Sequence, residues 1–69
     1  MKNYFENKAT QSTFEWGVGL GKEIFRDVED LEETMEDLEF FFQRKGKVLT
    51  DELKVAIKDE IAYFFDLAL

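Results

Sequence analysis

The chain has 69 residues, a net charge of −7 at pH 7, and neither cysteine nor histidine. A chain of this length forms one domain and buries only about 60% of the surface that its unfolded form exposes. The missing residue types exclude disulfides, thiolate and imidazole metal ligands, and cysteine or histidine as nucleophile or general base. Carboxylates could still serve in catalysis, but they lie on what look like solvated helix faces, so we expect no cofactor, no bound metal and no enzymatic activity.

The amino-terminal residues 1–11 are polar apart from Tyr4, Phe5 and Ala9. We predict either a short helical turn or an extended arm that places Tyr4 and Phe5 on the rest of the protein. The segment does not resemble a signal peptide, and no part of the chain approaches the roughly 18 apolar residues of a membrane span. These features predict a soluble, cytoplasmic protein with no membrane partner.

Residues 12–45 have the pattern of a single long amphipathic helix. Apolar and small residues recur at alternating spacings of three and four, which is a heptad seam. Ser12 and Glu15 have the spacing of a capping box, and Gly46 follows as a stop signal. A helix of this length would extend for roughly 50 Å. The seam consists of Phe14, Gly17, Gly21, Ile24, Val28, Leu31, Met35, Leu38 and Phe42.

The glycine-rich part of this region allows a second interpretation. Alternate residues from Phe14 to Leu20 are apolar, as on one face of a β-strand, which would make the fold α+β with a small amino-terminal β-hairpin over residues 3–20. We favour an all-α fold because Gly17 and Gly21 fall in register with the seam. Without side chains, these two positions would let another helix approach closely.

Residues 46–50 are predicted to form a turn, and residues 51–68 a second helix that begins with Thr50 as its N-cap. The short connection predicts an antiparallel hairpin, in which the second helix covers only the carboxyl-terminal half of the first. We therefore predict a homodimeric bundle that buries the uncovered seam; the alternative is a monomeric three-helix domain closed by the arm. The residues predicted for self-association are Phe14, Gly17, Gly21, Ile24 and Val28.

The most distinctive feature is an acidic stretch, residues 27–39, which carries eight acids and no base. The charge outside this stretch therefore sums to +1. Such a run is commonly a solvated helix face. It could also form a strip of carboxylates that docks on a basic groove of a protein partner and imitates the phosphates of a nucleic acid. A calcium site is disfavoured, because the run lacks the glycine-centred loop of an EF-hand.

The sequence therefore favours a non-enzymatic acidic binding protein. The residues predicted to contact the partner are Asp27, Glu29, Asp30, Glu33, Glu36 and Asp37, with Phe40 as an apolar anchor. By charge, size and helical simplicity, the chain is analogous to the anti-restriction and anti-CRISPR inhibitors that phages and mobile elements direct against nucleic-acid enzymes. Direct binding to nucleic acid is not expected, and the lysines of the second helix are expected to stay solvated. The alternative is a structural or regulatory helical subunit that assembles with partner helices through the seam.

Overall fold

The computed structural model describes residues 4–67, and these form three α-helices. The helices are α1 (Lys8–Val28), α2 (Leu31–Arg44) and α3 (Asp51–Phe64). No strand occurs among the residues described. The all-α prediction is thus confirmed, and residues 13–21, whose glycines suggested a β-hairpin, lie within α1.

The first helix begins earlier than the capping signals suggested. The side chain of Asn7 caps α1 by accepting a hydrogen bond from the backbone N–H of Thr10, at 3.1 Å. Ser12 is therefore inside the helix, and Glu15 accepts a hydrogen bond from the Gln11 side chain instead of closing a capping box. The predicted arm is correspondingly shorter: residues 4–7 are not helical, and residues 1–3 of the arm lie outside the described part of the chain.

The predicted continuous helix over residues 12–45 is wrong, because the chain turns between Val28 and Leu31. Glu29 adopts the left-handed conformation (φ 54°, ψ 31°), and Asp30 has extended backbone angles. The Asp30 side chain then caps α2 by accepting from the backbone N–H of Glu33 at 3.1 Å. A heptad pattern cannot reveal such a break, since two short helices with a two-residue corner keep the same apolar spacing as one rod.

The other two helix ends follow the expected chemistry. Gly46, with φ 70°, ends α2: the N–H of Lys47 donates to the carbonyl of Phe42, as in a Schellman motif. Thr50 caps α3 as predicted, accepting from the N–H of Leu53 at 3.2 Å. The third helix ends at Phe64, four residues before the predicted end at residue 68, which itself lies outside the described residues.

The core lies between α1 on one side and α2 and α3 on the other. Its fully buried side chains come from all three helices. The whole fold measures 30 × 26 × 18 Å, which leaves no room for the roughly 50 Å rod expected from the sequence. The largest fully buried apolar side chains are Phe14, Phe42, Leu38, Ile57, Ile61 and Val18.

Gly17 and Gly21 mark the places where α1 is approached most closely. A β-carbon at Gly17 would lie 2.6 Å from Cδ1 of Ile57 and 3.1 Å from the ring of Phe42. A β-carbon at Gly21 would collide with Cδ1 of Ile61. The glycines therefore do permit close helix packing, as the sequence suggested, but the neighbours that use the space are α2 and α3 of the same chain.

This packing changes the interpretation of the residues predicted for self-association. Phe14, Gly17, Gly21 and Ile24 are buried within the protein, and Val28 is half-buried at the end of α1. The two-helix hairpin that left this part of the seam uncovered is replaced by three helices that cover it. A homodimer stays a prediction, and it would have to use a surface other than the seam.

Candidate functional site

The acidic stretch is distributed over three structural elements. Asp27 lies near the end of α1, Glu29 and Asp30 form the corner, and the remaining acids belong to α2. The side chains of Asp27, Glu29 and Asp30 are all exposed. Asp30 also has a structural role, because its carboxylate caps α2 and its backbone carbonyl accepts from the buried hydroxyl of Thr34 at 2.7 Å.

On α2, part of the stretch forms one outward-facing surface. Glu33, Glu36 and Phe40 are separated by three and four residues, so their side chains lie on one side of the helix. All three are exposed, whereas the opposite side of α2 is buried in the core. Asp37, half-buried, lies at the margin of this surface. We call the surface made of Glu33, Glu36, Asp37 and Phe40 the acidic face.

The acids on the side of α2 nearest to α3 are paired within the protein. Nζ of Lys58 lies 3.0 Å from a carboxylate oxygen of Glu32, and Nζ of Lys54 lies 3.8 Å from one of Glu39. Both lysine side chains stay partly exposed to solvent, as expected, but each also pairs with an acid of α2, which the sequence did not predict. Within residues 4–67, no salt bridge involves Glu33 or Glu36. The lysines thus neutralise one edge of the acidic stretch and leave its outward side unchanged.

An aromatic pair continues the acidic face toward the end of α2. The rings of Phe40 and Phe41 meet edge to face, with centroids 5.9 Å apart, and the guanidinium of Arg44 lies 5.6 Å from the ring of Phe40. Phe40 is 54% exposed and Phe41 38%, so both present apolar surface to solvent. Exposed aromatic rings beside charged groups are typical of the anchor residues of protein interfaces.

The structure separates the predicted partner-binding residues into two groups. Glu33, Glu36, Asp37 and Phe40 lie together on α2, while Asp27, Glu29 and Asp30 surround the corner. Sequence reasoning missed the corner, although Asp30 and Glu33 have the spacing of an N-cap and its N3 partner, which could have indicated a helix start. It also missed the pairing of α2 with the lysines, which are spaced by four residues on α3 and so lie on one side of it.

The described residues contain no group of three or more acids placed to hold a metal ion. Nor does any described helix combine the length and the apolar character needed to cross a membrane. Comparisons with protein-family models, with curated proteins and with solved structures find no significant match. Any functional proposal must therefore come from the surface of the molecule itself.

Proposed function

We propose that this protein is a non-enzymatic binding protein whose acidic face docks on a basic surface of a nucleic-acid-handling protein and blocks it. The observation that carries the proposal is the composition of the acidic face. Glu33 and Glu36 point away from the core with no salt-bridge partner within residues 4–67, and the exposed ring of Phe40 lies one turn further along the helix. This surface offers both charge and an apolar anchor to one partner.

The density of negative charge on this face is comparable to that of a nucleic acid. Glu33, Glu36 and Asp37 span about 6 Å of the helix axis at about 1.5 Å per residue. A single strand of DNA carries about one charge per 3.4 Å along its axis. A groove lined with lysine and arginine to hold phosphates would therefore also attract this helix. An inhibitor of this kind would act in the cytoplasm, as phage and mobile-element inhibitors do.

The salt bridges to α3 support the proposal because they compensate acids on the side of α2 nearest to α3 and leave the negative charge on its outward side. Lys54 and Lys58 compensate only Glu39 and Glu32, on the inner edge of α2. Repulsion between neighbouring acids costs about 0.2 to 0.5 kcal/mol per pair spaced by four residues. A surface that served stability alone would carry bases on its outer side as well, yet Arg44 is the only base within α2.

Two matched double variants test the proposal. Glu33→Gln with Glu36→Gln removes two charges from the acidic face, and Glu32→Gln with Glu39→Gln removes two from the inner edge of the same helix. The immobilised chain is used to capture proteins from a bacterial lysate at low salt, and mass spectrometry identifies those that duplex DNA displaces. We expect the first variant to lose these proteins and the second to retain them.

Ionic strength provides an independent criterion. A complex held by exposed charges weakens steeply as salt rises, because the screening length falls to about 8 Å at 0.15 M. Affinity that stays flat from low to high salt would exclude the proposed mimicry. Equal capture by the two double variants would also contradict it, since both have the same net charge and differ only in which side of α2 is neutralised.

The other interpretation, a helical subunit that assembles through the heptad seam, gains no support from the packing. Phe14 and Gly17 are enclosed by the protein's own helices, so a partner helix would have to displace α3. Reversing Glu33 and Asp37 to lysine separates the two interpretations: binding through the acidic face is lost, whereas assembly through buried residues is unaffected.

A further inference from the structure

A concave surface lies away from the acidic face, between the amino-terminal segment and α3. It is a shallow groove of about 470 Å³. The rings of Tyr4 and Phe5 form one wall, and Val55 and Ala56 contribute the apolar surface of α3. Tyr4 is 41% and Val55 60% exposed, so solvent reaches this apolar surface. The groove shares no residue with the acidic face.

The charge around the groove is of one sign. Three carboxylates line it, those of Asp51, Glu52 and Asp59, and no lysine or arginine does so among the described residues. Glu60 is adjacent and accepts a hydrogen bond from the Tyr4 hydroxyl at 3.3 Å. Burial, and then the charges of Glu60 and Asp59, raise the pKa of Tyr4 above its ordinary value of 10.0. The nearby carboxylates thus make the electrostatic potential at the Tyr4 hydroxyl negative.

The wall formed by the amino-terminal segment is held in place. The side-chain oxygen of Gln11 accepts hydrogen bonds from the backbone N–H groups of Tyr4 and Phe5, at 3.0 and 3.1 Å. Both rings also pack on Phe14, with centroids 4.8 and 5.7 Å from its ring. Because Gln11 and Phe14 are buried residues of α1, this segment is anchored to the core and the groove exists before any ligand arrives.

We propose that this groove binds an arginine side chain from a basic segment of a protein partner. The occupant follows from charge complementarity and shape: an arginine has an apolar stem that can lie on Val55 and Ala56, and a planar cation that can stack on Tyr4 while its N–H groups reach the carboxylates. Lysine fits less well, because its ammonium is strongly hydrated and does not stack. This inference goes beyond the proposed function and does not require it.

The test is a titration of the isotope-labelled full chain with three capped tripeptides, followed by the amide resonances. The central residue of the peptides is arginine, lysine or citrulline, the last having nearly the shape of arginine without its charge. We expect the arginine peptide to shift the amides of residues 4–5 and 51–59, the lysine peptide to do so more weakly, and the citrulline peptide to leave them unchanged. Equal shifts with citrulline would overturn the proposal, as would arginine shifts spread evenly over the groove and α2.

A pair of variants adds a second criterion. Asp59→Asn removes a carboxylate of the groove, and Asp27→Asn removes an exposed carboxylate outside it. We expect the first to weaken arginine binding by about two- to fivefold, as for the loss of one exposed ion pair, and the second to leave it unchanged. Equal affinities for the two variants would mean that the peptide responds only to net charge, and the groove would then not be its site.

Discussion

Glu29 occupies a backbone conformation that few glutamates adopt. Its φ of 54° lies in the left-handed region, where a β-carbon crowds the neighbouring carbonyl at a cost of about 1 to 2 kcal/mol. Its negative charge also lies at the carboxyl end of α1, where the helix dipole favours a cation. The corner between α1 and α2 is thus formed despite this residue, because the packing of the two helices outweighs the local cost.

Replacing this residue with glycine tests that account. We expect Glu29→Gly to raise the free energy of unfolding by about 0.5 to 1 kcal/mol, since glycine adopts the left-handed region without steric cost. Glu29→Gln is the matched control, because it removes the charge and keeps the β-carbon, so its gain should be only a few tenths of a kcal/mol, roughly the dipole contribution. Urea unfolding measures both. A glycine variant no more stable than the glutamine variant would show that the conformation carries no strain.

The phenol of Tyr4 gives a second prediction, on the dependence of stability on pH. Its pKa is raised in the folded protein, first by burial and then by Glu60 and Asp59, so the neutral phenol is favoured by folding. The stabilisation is complete below the unfolded value of 10.0 and is lost as the pH rises through the folded pKa. Ultraviolet titration of a Tyr63→Phe variant isolates this group, and we expect phenolate to form at higher pH in the folded chain than in urea. Adding Glu60→Gln should lower the folded pKa of Tyr4; no change would mean that burial and Asp59 raise it without Glu60.

At the scale of elements, α1 determines how closely the helices pack. Its glycines are not equivalent: Gly17 faces Ile57 and Phe42, whereas a β-carbon at Gly19 would meet no atom within 4 Å. The two positions share a helix and a residue type, and they differ only in what lies outside them. They therefore separate the intrinsic cost of glycine in a helix from its benefit at a close contact.

We expect Gly19→Ala to stabilise the protein by about 1 kcal/mol, the difference in helix propensity between the two residues. Gly17→Ala gains the same propensity but must displace the buried side chain of Ile57, and to a smaller extent the ring of Phe42. Overpacking of this kind costs about 1 to 3 kcal/mol. The second variant should therefore be less stable than the first by about that cost. Thermal or urea unfolding provides the comparison, and equal stabilities would mean that the core yields without penalty at this position.

At the scale of the whole molecule, the charges are strongly unbalanced. The net charge is −7, and the described salt bridges use only Lys54 and Lys58. Both pairs are exposed to solvent, where an ion pair contributes little. We therefore expect repulsion among the acids of the corner and α2 to be the larger electrostatic effect on stability, and salt can screen it.

The melting temperature should therefore rise as ionic strength increases from low to physiological, because screening weakens repulsion between exposed carboxylates. Thermal unfolding in sodium chloride measures this, and the Glu33→Gln, Glu36→Gln variant should show a smaller rise. A melting temperature that falls with added salt would mean instead that the two salt bridges to α3 dominate.

Several features follow from the sequence alone: the preference for an all-helical fold, the seam residues that pack in the core, Thr50 as the N-cap of α3 and Gly46 just after the end of α2. These features depend on local chemistry: apolar periodicity, side chains that cap helix ends, and a glycine where φ is positive. The placement of Phe40 and the outer acids on one side of α2 also follows from spacing alone.

Three other features become visible only in the fold: the predicted rod is two helices, the seam is buried within one chain, and Lys54 and Lys58 pair with acids on the side of α2 nearest to α3. The physical reason is that apolar spacing indicates which side of a helix is buried, but not which part of the molecule covers that side. Folding back at Glu29 and Asp30 buries the same residues against α2 and α3, and this gain depends on contacts between distant parts of the chain. The local signal at the corner is limited to the N-cap spacing of Asp30 and Glu33.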